Sequence, residues 1–74
     1  MFKVYFGSYE DRKLLKEFDD FDMAEKYIFK FINDEFNNIS YYINIWGFDE
    51  NGWRTYDFGS HTIFFYIKDT RRGN

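Results

Sequence analysis

Asp57, Ser60 and His61 are the one place in this 74-residue sequence where a carboxylate, a hydroxyl and an imidazole stand close together. A hydrolytic triad needs those three groups converging on one point. Ser60 and His61 are adjacent, so in an extended segment their side chains diverge. No Gly-x-Ser-x-Gly elbow surrounds the serine. The residues therefore read as hydrogen-bonding groups of a turn. His61 is the only histidine and there is no cysteine, so zinc would have to be held almost entirely by carboxylates, and no metal or other cofactor site is expected. The glycines at 7, 47, 52, 59 and 73 are scattered and form no phosphate loop. No nucleophile–base pair or metal set emerges, so an enzyme is not the expected reading.

Two other constellations can do chemistry of a different kind, namely binding. Glu17, Asp19, Asp20, Asp22 and Glu25 place five carboxylates within nine residues. A helix starting there accounts for Asp22 and Glu25 through capping and the helix dipole. Glu17, Asp19 and Asp20 remain as a secondary acidic patch able to meet a basic partner. The second constellation is aromatic: 11 Phe, 7 Tyr and 2 Trp. Rings that bury roughly 150–250 Å² each let a very short chain build a core, and they also serve as contact residues.

The elements that position these residues follow from pattern. Phe2 to Phe6 alternates as a strand, Gly7 to Asp11 turns, and Arg12 to Phe18 returns as a second strand whose alternation Leu14-Leu15 interrupts. Asp22 with Glu25 is an acidic capping box that starts a helix near Met23, and the helix runs to about Phe36, with Asn37-Asn38 closing it. Ala24, Tyr27, Ile28, Phe31 and Ile32 share its apolar face, and Glu35 intrudes on that arc. Ser40 to Phe48, Trp53 to Phe58 and His61 to Lys68 read as three more strands, with Asn51-Gly52 as a hairpin signal between the first two. Asp49 and Arg54 are placed to pair across that hairpin. The expected fold is α+β, ββαβββ, an antiparallel sheet of four to five strands with one helix on one face. Residues 1–69 form the single domain and 70–74 a flexible basic tail.

Side-chain parity then divides the sheet. Tyr41, Ile43, Ile45, Tyr56, Phe58, Ile63, Phe65 and Ile67 form the core face. Tyr42, Asn44, Trp46, Phe48, Trp53, Thr55, Asp57, Phe64 and Tyr66 form the other. A single helix covers one face only, so the second should be open. Contiguous exposed rings mark interaction surfaces, and Tyr42, Asn44, Trp46, Trp53, Thr55, Asp57, Phe64 and Tyr66 are the expected partner-binding residues. Bases also stack on such rings, but the available cations are Lys3, Arg54 and Lys68 on a chain of net charge −3, which disfavours nucleic acid. A nucleotide signal held by stacking, with the protein acting as a sponge, is the alternative, along with single-stranded nucleic acid and a homodimer through the aromatic face. No stretch approaches the ~20 apolar residues of a membrane span, and the first residues form a strand with no leader pattern, so a cytoplasmic location is expected.

The segments Ser40-Tyr41-Tyr42-Ile43-Asn44-Ile45-Trp46, Asp57-Phe58-Gly59-Ser60-His61-Thr62 and Ile63-Phe64-Phe65-Tyr66-Ile67 resemble small accessory proteins of phages and prophages in Gram-positive bacteria. The resemblance covers about half of the chain and includes no catalytic motif. It implies a non-enzymatic inhibitor of a host bacterial protein, of the anti-CRISPR or other anti-defence type, acting by occlusion.

Overall fold

The computed structural model describes residues 1–36, 43–60 and 62–71. Its elements are β1 (Phe2–Gly7), β2 (Arg12–Phe18), α1 (Phe21–Phe36), β3 (Asn44–Trp46), β4 (Trp53–Asp57) and β5 (Phe64–Asp69). The strands form one antiparallel sheet in the order β2-β1-β5-β4-β3. The fold is thus the expected α+β arrangement, ββαβββ, with five strands.

Its centre is set by the β1–β5 ladder, which aligns Val4 with Ile67 and Phe6 with Phe65. These four side chains point to the same face, and α1 lies over it with Ala24, Ile28 and Ile32 buried. Tyr56 and Phe58 complete the core, with Phe21, Tyr27, Phe31 and Phe48 packed around it. Rings do most of the filling. Phe65 lies 4.7 Å from Phe6 and 5.4 Å from both Phe31 and Phe58, measured between centroids. Tyr41, assigned to this face by parity, is outside the described residues.

β2 is the strand whose irregular pattern has a structural explanation. Val4 pairs with Lys16 and Tyr5 with Leu14, so Leu15 is an extra residue in a bulge. The bulge sends Leu15 to the core side and Leu14 to the opposite face, which is why two leucines stand side by side in a strand.

α1 begins two residues before the expected start, and its cap is Asp20 rather than Asp22. The Asp20 carboxylate accepts the Asp22 amide at 2.9 Å, and its carbonyl accepts the Ala24 amide at 3.2 Å. This frees Glu25, the supposed other half of the box, for a different role across the core. Glu35 is simply exposed near the helix end, and Asn37-Asn38 lies outside the described residues. Among the described residues no helix is long and apolar enough to cross a membrane.

The first two residues of the segment expected to be a flexible tail make contacts with the fold. The Thr70 amide and hydroxyl both donate to the Met1 carbonyl, and the Arg71 guanidinium pairs with the buried Asp69 at 3.0 Å while lying over the Phe2 ring. Pairing with a buried carboxylate, together with backbone bonds to the chain start, replaces the apolar contacts this segment lacks.

Candidate functional site

The sheet face opposite α1 carries the residues expected to bind. The ladder sets Asn44 opposite Asp57, Trp46 opposite Thr55, Thr55 opposite Tyr66, and Trp53 opposite Lys68, so these share one face. Phe64 joins them by its spacing from Tyr66. Parity thus brings together seven of the eight expected contact residues, and Tyr42 lies outside the described residues. Phe48 does not belong to this face. The chain leaves the ladder after Trp46, alternation ends, and the Phe48 ring turns to the core side, 5.9 Å from Phe21 and 6.5 Å from Phe2.

The rings of this face are coupled across three strands. Tyr5 of β1 meets Trp53 of β4 edge-on at 5.1 Å, Trp53 meets Tyr66 of β5 at 5.9 Å, and Tyr66 meets Phe64 at 6.2 Å. Edge-to-face contacts of this kind add about 0.5–1.5 kcal/mol each beyond area burial. Among the described residues no element covers them. Tyr9 at 74% exposure, Leu14 at 47% and Trp46 at 54% stand around the coupled rings. Tyr66 is the exception among the expected contacts. It is fully buried, so it forms the floor of the face and is not itself a contact.

What buries Tyr66 is Arg12, a residue that sequence reasoning did not place here. Its guanidinium carbon lies 4.0 Å from the Trp53 ring centroid, 4.3 Å from that of Tyr66 and 4.7 Å from that of Tyr9. Three aromatic faces within cation–π range hold one guanidinium. The bulge in β2 hides this from parity counting. The available signal is Gly7, which pairs with Arg12 on one side and Phe64 on the other; a residue without a side chain leaves the surface over β1 open to a long neighbour.

Arg54 moves the other way. It was counted among the cations available to the face and its edges, and paired with Asp49, yet it lies on the helix side opposite Ile67. There its Nε donates to the Tyr56 hydroxyl at 2.9 Å, and that hydroxyl donates to Glu25 at 2.6 Å. Burial pushes the Tyr56 phenol well above its usual range, and its bond to Glu25 adds to the rise, so it remains a donor at ordinary pH. The cations of the open face are accordingly Lys3, Arg12 and Lys68.

Asp49 has a different use. Its carboxylate accepts the amides of Asn51 at 2.9 Å and Trp53 at 3.0 Å, fixing the β3–β4 connection and the start of β4. The Trp53 amide is the leading cause that holds the Asp49 carboxyl below its usual 3.8, with Asn51, Lys68 and Arg12 assisting. A carboxyl depressed by folding contributes stability that is complete above its unfolded value and is lost as pH falls through its folded value. The advantage of the native protein over Asp49→Asn should therefore be constant at neutral pH and shrink below about pH 4. Denaturant midpoints measured along a pH series check this, and a difference that persists unchanged into strong acid contradicts it.

The acidic patch does not hold together as one surface. Asp19 and Asp20 are exposed at the turn into α1, with Asp20 engaged in capping, whereas Glu17 stands opposite Lys3 on the open sheet face. Of the supposed triad, Asp57 accepts the Gly59 amide at 2.9 Å and the Ser60 hydroxyl accepts the Ile63 amide at 3.3 Å. Both serve the turn, and His61 is outside the described residues. Comparison with protein-family models, with curated proteins and with solved structures finds no match to this chain.

Proposed function

We propose that the chain is a non-enzymatic protein-binding module that acts by occlusion through its open sheet face. What carries this reading is the exposure of Trp46, Tyr9 and Leu14 around coupled rings on a face that no element among the described residues covers. A protein of this size gains nothing for its own core from a half-exposed Trp, whereas Trp, Tyr and Arg are the residues that dominate binding energy at interfaces. The partner class, a bacterial host protein such as a CRISPR-Cas or other defence effector, rests on the resemblance to phage accessory proteins alone.

The test is capture of partners by the tagged chain from a bacterial lysate, with and without nuclease. One protein recovered near stoichiometrically in both arms is the expected result. Trp46→Ala should then weaken that complex by about 2 kcal/mol, roughly thirty-fold, and Trp46→Ala with Trp53→Ala should abolish it. Circular dichroism should show Trp46→Ala folded, because that ring stands at the sheet edge. Normal binding by the double variant, or recovery that disappears with nuclease, removes this reading.

A further inference from the structure

Arg12 is an anomaly of hydrogen bonding. Its Nε is buried without a partner, as is the hydroxyl of Tyr66 beneath it. Its terminal nitrogens are not buried, and its side chain makes no hydrogen bond or ion pair with any described residue. Buried polar groups are almost always satisfied, so an orphaned guanidinium needs an explanation. The neighbouring carboxylates do not supply one. Asp49 is committed to two backbone amides and Asp57 to the Gly59 amide. Glu17 stands opposite Lys3, across the width of β1 from the cage.

The three rings give the orphan a purpose. They surround the guanidinium carbon and exclude water from Nε, while the terminal donors are not buried. A guanidinium prepared in this way offers a fork of N–H groups that matches a carboxylate, with little entropy left to lose on binding. The local field agrees. Lys3 and Lys68 are directly opposed in the β1–β5 ladder on the same face as Arg12, with Glu17 opposite Lys3 and the Lys68 ammonium donating to the Asn51 carbonyl. Lys68 also lies 5.1 Å from the Trp53 ring that Arg12 stacks on.

We infer that Arg12, held by Tyr9, Trp53 and Tyr66, is the recognition centre of the open face and receives an aspartate or glutamate carboxylate from a protein partner. This rests on the reading of that face as protein-binding and adds the chemistry of the group it selects. A single carboxylate fits better than a nucleic-acid strand. Three cations are interspersed with Glu17 and Asp57 on the face, and a run of phosphates would meet both acids.

The test uses the isotope-labelled native chain and nuclear magnetic resonance. The probe is a capped peptide of alternating glutamate and glycine, compared with its glutamine counterpart, with inorganic phosphate and with single-stranded oligothymidine. The glutamate peptide should shift the Arg12 Nε–H and Trp53 Nε1–H signals saturably, and the glutamine peptide should leave them in place. No shift with the glutamate peptide, or an equal or stronger response to phosphate or oligothymidine, overturns the inference. In the lysate capture, Arg12→Gln should weaken the complex roughly ten-fold or more, with its melting curve recorded to confirm folding. A partner lost with Trp46→Ala but kept with Arg12→Gln overturns the role of Arg12 and leaves the face reading standing. A partner kept by both variants removes the two together.

Discussion

Gly7→Ala should cost this protein about 3 kcal/mol or more, enough to consume much of the stability available to a domain of its size. Gly7 has φ of +142°, a region that residues with a side chain scarcely enter. The space is closed as well. A Cβ there would stand 2.2 Å from the Asp11 carbonyl oxygen and 3.2 Å from its carbon. Both are backbone atoms of the β1–β2 turn, which is tied by the Asp11 amide to the Ser8 carbonyl and hydroxyl, so no flexible side chain can yield. Gly59→Ala is the internal control. Its φ of +107° is also unfavourable, but nothing lies within 4 Å of the added carbon, so it should cost only about 1–2 kcal/mol. Urea midpoints for the two variants check the difference. Equal losses would show that the Gly7 turn relaxes and that only the dihedral matters.

Phe65→Ala should be as damaging, at about 3–5 kcal/mol. Phe65 is fully buried on the central strand and touches rings from β1, α1 and the segment after β4. Removing it opens a cavity where three elements meet, and neighbouring rings are too stiff to fill the space. Phe65→Leu retains most of the volume and should lose about half as much or less. Denaturant unfolding followed by near-ultraviolet circular dichroism would report both the stability and the order of the ring cluster. A midpoint for Phe65→Ala close to that of the native chain would mean that the core tolerates a void at its centre.

Much of this architecture could be read from alternation alone. The parity of Asn44, Trp46, Thr55 and Asp57, carried across one turn, and of Phe64 and Tyr66 across the next, placed them correctly because a one-residue slip in any strand would have turned its apolar set to water. Parity failed where the backbone ceased to alternate. The bulge at Leu15 shifted Arg12 to the open face, and departure from the ladder after Trp46 returned Phe48 to the core side. The roles of Glu25 and Arg54 were hidden for another reason. They come together through Tyr56, which is thirty-one positions from Glu25 in sequence, and no local pattern encodes such a contact. Asp20 rather than Asp22 caps α1 because several acids in a row can each serve, and the packing of Phe21 against Phe2 at 5.7 Å favours the earlier start.

The pairing of β1 with β5 has a kinetic consequence. These strands lie at nearly opposite ends of the chain, and Phe2 aligns with Asp69. The hairpin and helix on one side, and the β3–β4–β5 meander on the other, each form by local contacts, but the sheet and its core are complete only when β5 pairs with β1. Such a topology carries a high contact order, and refolding should fall toward the slower part of the range for small domains, about milliseconds to seconds. During synthesis the inner edge of β1 stays unpaired until β5 emerges from the ribosome.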